Sequence, residues 1–175
     1  DQSAILREAI GVPTQLVSGY HGKAEIRLAI DANEVSGICG LAWASTKVTW
    51  RKQLESGEVK VVLQNTPAPH PELPDVPTAV SLAKTDMGKK LLQLGLHDVG
   101  AITYIYSFPP ATPKDRVEIM RRAFQDTMKD PEFIAEAKKG NFELTPVAGE
   151  ELARVVNGFF KADPVVVNKL RELLK

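Results

Sequence analysis

The stretch QLVSGYHGKAEIRLAIDANEVSGICGLA, residues 15–42, decides how the fold of this sequence reads. Gln15 to Ser18 has strand character, Gly19 to Gly22 is a turn, Lys23 to Ala32 carries Ile26, Ala29 and Ile30 on one helical face, and Gly37 to Ala42 is a second strand. Two strands joined by a helical crossover of this length are most simply parallel and right-handed, with both strand C-termini on one sheet edge. The turns Gly19 to Lys23 and Trp43 to Thr46 then share that edge.

Outward from this unit the same architecture continues. Upstream, Ala4, Ile5 and Ile10 suit a short helix that Gly11 ends. Downstream, Ser45 or Thr46 caps a helix running to about Ser56, Gly57 stops it, and Val59 to Gln64 supplies a third strand. Thr66 to Thr78 holds Pro67, Pro69, Pro71, Pro74 and Pro77, so it runs extended over the surface as an arm or loop. Thr78 to Leu94 gives one or two helices, with a break near Asp86 to Gly88. Ala101 to Tyr106 has strong strand propensity and no helical period.

From Thr112 the chain is helical, and Thr112-Pro113, Asp130-Pro131 and Asp163-Pro164 each place a capping side chain before a proline at the first helical position. Gly140 ends the second of these helices, Phe142 to Thr145 reads as a short strand, and Gly149, Glu150 and Glu151 open a further helix. The pattern predicts an α/β chain in two parts. A β-α-β half runs from Asp1 to about Gly100, a helical half from about Pro110 to Lys175, and the hinge is the apolar strand between them.

Composition bounds the function. The chain has 175 residues, 43% of them apolar and 25% charged, the profile of a globular protein. Its 22 Lys+Arg balance 22 Asp+Glu, with the basic residues scattered, so no footprint for a nucleic-acid backbone is present. No apolar run approaches the roughly 20 residues that span a bilayer, and Asp1 to Gly11 lacks the layout of a signal peptide, so neither is expected. His21, His70 and His97 stand far apart and Cys39 is the only cysteine, so neither a metal site nor a disulfide is expected.

Cys39 lies inside an apolar strand and reads as core packing, and no GxSxG elbow is present. Gly22-Lys23 is followed by Ala24, where a phosphate-binding loop needs Ser or Thr. No catalytic set, and no cofactor, is expected.

What remains is Val17 to Glu25, a strand, a glycine turn and a helix start. Free N–H groups at a helix N-terminus attract anions, so Tyr20, Gly22, Lys23 and Ala24 form a candidate seat for a small carboxylate. The same residues also read as a tight turn with Lys23 in solvent. Trp43 is either core or a platform at a cleft rim, and Ser45 either caps its helix or donates to a ligand oxygen. Arg27, one turn into the helix, is placed to approach an anion but reads by default as solvated surface, and Trp50 as core.

Two longer stretches, PELPDVPT at residues 71–78 and FPPATPKDRV at residues 108–117, resemble signatures of the Bug-type extracytoplasmic solute receptors of tripartite tricarboxylate transporters. The similarity continues through residues 128–133 and 147–152, and upstream through residues 18–20 and 24–29. The resemblance implies a partial periplasmic-binding-protein-like (type II) two-lobe fold. Residues 1–100 would form ligand-binding lobe two, and residues 101–175 the hinge strand and the helices that complete lobe one.

It further implies a periplasmic, non-enzymatic receptor that closes on a carboxylate or amino acid and presents it to membrane transporter subunits. The family's second-lobe ligand loop matches Tyr20 to Ala24. Lys23 stands where a small residue is usual, which either pairs with an extra carboxylate or obstructs the loop, and Ala111 replaces a glycine. Two alternatives stay open: a cytoplasmic effector-binding domain of the same fold class, and a ligand-free domain that closes its sheet edge as a homodimer.

Overall fold

The computed structural model describes residues 2–175; Asp1, where the lobe-two reading begins, lies outside them. Helix α1 (Gln2–Ile10) is closed by Gly11, whose φ of 70° is left-handed and whose N–H donates to the Arg7 carbonyl at 3.0 Å. Next come α2 (Lys23–Asp31), α3 (Trp43–Thr49) and α4 (Arg51–Ser56), the last stopped at Gly57 with φ 77°. After the proline arm, Thr78 caps α5 (Ala79–Leu82) and Thr85 caps α6 (Asp86–Leu92) through the Gly88 N–H at 3.0 Å. The helix then continues through a π-helical turn (Gln93–His97) into α7 (Asp98–Ala101). The C-terminal part holds α8 (Lys114–Thr127), α9 (Pro131–Lys139), α10 (Gly149–Phe160) and α11 (Pro164–Leu173).

The α/β two-lobe expectation is contradicted: among the described residues there is no strand and no sheet. Gln15 to Ser18, Gly37 to Ala42, Val59 to Leu63, Ala101 to Tyr106 and Phe142 to Thr145 form no ladder, and only an isolated parallel bridge joins Gln64 to Thr78. The reason is physical. A helix satisfies its backbone within itself, whereas strand propensity is realised only against a paired neighbour, and these segments have none. With no paired strands, the right-handed crossover and the hinge strand vanish as well.

Local signals fared differently. Asp130 accepts from the Phe133 N–H and Asp163 from the Val165 N–H, both at 2.9 Å, so the two Asp-Pro starts are as expected. The Thr112-Pro113 start is not, because the Thr112 hydroxyl donates to the Pro109 carbonyl at 2.8 Å and leaves α8 without a side-chain cap. The break expected near Asp86 to Gly88 falls earlier, at Ala83 to Thr85.

The core lies where α1, α5, α6, the π turn and α11 meet. Ile5, Leu6 and Ala9, Ala79 and Ala83, Leu91, Leu92 and Leu96, and Val166 are buried there, with Ile10, Leu63, Met87, Leu170 and Leu173 packed against them. It therefore draws on both halves of the chain. Helices α1 and α6 approach so closely that a Cβ on Gly88 would lie 2.6 Å from the Ala9 carbonyl oxygen, which only glycine allows.

One buried side chain secures the proline arm. Gln64 donates through Nε2 to the carbonyls of Leu73 (2.9 Å) and Val76 (2.7 Å) and accepts from the His70 N–H (2.8 Å). Its backbone completes the bridge, from the Gln64 N–H to Pro77 O at 2.9 Å and from the Ala79 N–H to Gln64 O at 2.8 Å.

The rest of the molecule is open. Its accessible surface is 12718 Å², against about 8,400 Å² expected of a compact 19.1 kDa monomer. Helices α8 and α10 bury no residue, and Ile119, Met120, Phe142, Val156 and Phe160 are exposed.

Candidate functional site

The candidate site sits where α2 faces α3. Gly22 precedes α2 in an extended conformation (φ 174°, ψ 177°) that any residue adopts, and no side chain caps the helix. Lys23 therefore places its ammonium at the positive end of a helix, where a cation is disfavoured and an anion is favoured. The Glu25 carboxylate partly answers this by accepting from the His21 N–H at 2.8 Å. Arg27 lies one turn on, and its Nη1 donates to the Thr49 carbonyl at 2.9 Å, which ties α2 to the end of α3.

Across the gap, α3 begins at Trp43 with Ala42 at its cap position, three or four residues before the expected start, and neither Ser45 nor Thr46 caps it. The Thr46 hydroxyl instead donates to the Ala42 carbonyl at 2.9 Å. The single helix expected to Ser56 is interrupted at buried Trp50, which ends α3 and precedes α4.

Between these elements lies a hollow of about 180 Å³. One wall is Lys23, Ala24 and Arg27; the other is Ser45, Thr46 and Thr49; Ile38, Leu41 and Trp50 supply its apolar surface. Lys23 with Arg27 and Ser45 with Thr49 are each one helical turn apart, so cations face hydroxyls across an apolar floor. Beyond Arg27 and Thr49 a shallower, open depression is bordered by Arg51 and Lys52, so the cations cluster locally although the chain as a whole is neutral.

Of the six residues proposed from sequence, Lys23, Ala24 and Ser45 line this hollow, and Tyr20, Gly22 and Trp43 do not. Trp43 turns to the proline arm: its Nε1 donates to Glu72 at 2.7 Å, and Lys47 Nζ, 5.7 Å from the ring centroid, bonds both Glu72 oxygens at 2.9 and 2.7 Å. The Lys47 ammonium, then the Trp43 indole, hold the Glu72 carboxyl below its ordinary range. His70 extends the network, accepting the Glu72 N–H at Nδ1 (3.1 Å) and meeting Glu143 through Nε2 at 2.9 Å.

Sequence reasoning weighed Arg27 for an anion but set it aside as solvated surface, and it missed Thr49. The signal that finds Arg27 is its i+4 spacing from Lys23, which places both on one face. Cys39, read as core, is exposed, with its Sγ 3.8 Å from Asn65 Nδ2. Among the described residues no group of three or more His, Cys, Asp or Glu is placed to hold a metal, and no helix is long and apolar enough to cross a membrane. The hollow's lining offers cations and hydroxyls but no carboxylate, imidazole or thiol, an arrangement suited to holding an anion. No protein-family model, curated protein or solved structure matches the chain.

Proposed function

We propose that this chain is a non-enzymatic binding protein that holds a small carboxylate, either an organic acid or an amino acid, in the hollow between α2 and α3. The observation that carries this reading is the facing of Lys23 and Arg27 against Ser45 and Thr49 over an apolar floor, within a volume of about 180 Å³. A carboxylate there answers the cation at the α2 N-terminus and takes charge-assisted hydrogen bonds, the stronger kind. Ile38, Leu41 and Trp50 accommodate a short carbon skeleton.

The physiological role we propose is capture of that solute in the periplasm for subunits of a tripartite tricarboxylate transporter. It rests on the resemblance of residues 71–78 and 108–117 to the Bug-type receptors, and it invokes no closure of two lobes.

Thermal unfolding against a panel of di- and tricarboxylates and amino acids tests the binding step. A ligand of the native state adds about 2.7 kcal/mol of stability at a hundredfold excess over Kd, so at least one member should raise the midpoint. Arg27→Ala and Lys23→Ala should each abolish that rise, whereas Tyr20→Ala should leave it intact. A midpoint unmoved by every compound would sink the proposal.

A further inference from the structure

The hollow between α2 and α3 has a neighbour that the carboxylate reading leaves unused. Beyond Arg27 and Thr49, which border both, a depression of about 530 Å³ is lined by Val48, Arg51, Lys52 and Gln53 as well. Helix α3 stops at Thr49, Trp50 leaves helical geometry at φ −122° and ψ 31°, and Arg51 and Lys52 follow at once as the first turn of α4. Half-buried Arg27 joins them from α2. Its Nη1 donates to the Thr49 carbonyl at 2.9 Å, which fixes the side chain and leaves the remainder of the guanidinium fork to donate.

Charge sets what such a depression takes. Three cations line it and no carboxylate does. Lys47, just before them in α3, is neutralised by Glu72 at 2.7 Å, whereas no carboxylate among the described residues lies within ion-pairing distance of Arg27, Arg51 or Lys52. One carboxylate carries a single negative charge and leaves most of this field unanswered. A phosphate monoester carries about −1.5 to −2 at neutral pH and brings three strong acceptor oxygens. Arginine forks match its geometry, and lysine serves it as a point charge. Thr49 and Gln53 add polar lining, and the apolar part is confined to one valine, so this is no place for a carbon skeleton.

We infer that the depression seats a phosphate group, and that the ligand of this chain is a small phosphorylated carboxylic acid. The inference rests on the carboxylate seat proposed above. The carboxylate enters the hollow beside Lys23 and Ser45, the phosphate lies against Arg51 and Lys52, and Arg27 stands at the border of the two. About three negative charges then meet four cations.

Calorimetric titration of the intact chain with butyrate, succinate, phosphoglycolate and inorganic phosphate tests this. Phosphoglycolate should bind at least about tenfold tighter than butyrate or succinate, a difference of about 1.4 kcal/mol. It should exceed inorganic phosphate, which lacks the carboxylate, by a similar factor. Arg51→Gln combined with Lys52→Gln should bring phosphoglycolate down to the affinity of butyrate, with the helical circular dichroism unchanged because both side chains are exposed. Lys23→Gln should weaken phosphoglycolate and butyrate alike. Phosphoglycolate binding no tighter than succinate, or a gain indifferent to the double variant, would overturn the phosphate seat and leave the carboxylate reading standing. Inorganic phosphate matching phosphoglycolate while butyrate and succinate fail to bind would overturn the carboxylate seat, and with it the combined ligand. Binding by none of the four overturns both.

Discussion

The part of the molecule built from α1, α5, α6 and α11 contrasts with the side that carries α8 and α10. In the first, Leu91 and Leu92 are fully buried and two helix backbones touch at Gly88; in the second, neither helix buries a residue and Phe160 is 87% exposed. The two sides differ in composition, α8 being the more polar, and also in what faces their apolar residues. The lesson is that an amphipathic helix is only half of a packing statement: α10 presents Val156 and Phe160 as α6 presents Leu91, yet no element lies opposite them. Stability should therefore be concentrated in the first region.

The sharpest way to break this contrast is a pair of truncations. Leu91→Ala should cost about 2–5 kcal/mol in urea unfolding because it opens a cavity in a filled core. Phe160→Ala should change stability by no more than about 0.5 kcal/mol, as exposed substitutions do. Comparable losses at both positions would show that the exposed side packs in solution.

The next effect is expected at the border between the regions. Gln64→Ala removes three side-chain hydrogen bonds that hold the proline arm, a loss of about 2–4 kcal/mol. Limited proteolysis should then cut between Thr66 and Thr78. An arm that stays resistant would mean that the Trp43–Glu72–Lys47 cluster secures it instead.

A smaller effect should come from pH. His97 is buried in the π turn with neither ring nitrogen hydrogen-bonded, and burial, only partly opposed by the nearby Asp98 charge, holds its pKa below the ordinary value. The unfolded chain thus takes up a proton there that the folded chain resists, so stability should decline as pH falls below about 6.5. Depressed carboxyls act lower: the stability that Glu72 and Asp163 contribute above their ordinary range should be lost only as pH falls through their lowered folded values. His97→Leu should flatten the urea midpoint between pH 5 and 6.5; an unchanged slope would assign the dependence elsewhere.

The same contrast explains what the sequence made legible. The caps at Asp130 and Asp163 and the stops at Gly11 and Gly57 depend on neighbours a few residues away, and a few residues are enough to read them; the proline arm, expected to run extended, instead folds into turns closed by the Leu73 N–H on the His70 carbonyl and the Val76 N–H on the Leu73 carbonyl. The sheet was misread because the β preference of Gln15 to Ser18 or Ala101 to Tyr106 is a preference for a partner, and the residues themselves do not specify one. The candidate site falls between these cases. Lys23, Ala24 and Ser45 were found from the turn and helix starts that carry them, whereas the role of Arg27 depends on α3 lying across from α2, a tertiary fact with only its i+4 spacing as a local trace.

The proline arm has a consequence for the unfolded chain rather than the folded one. Five of the thirteen residues from Thr66 to Thr78 are proline, each with φ fixed before folding begins, and each proline also restricts the residue before it. Ordering an ordinary residue costs roughly 1–2 kcal/mol of backbone entropy; this segment forfeits much less, because its denatured ensemble is already narrow. A buried glutamine and a few polar contacts at Glu72 and His70 thus fix in place a loop that, with flexible residues, would need a small core of its own.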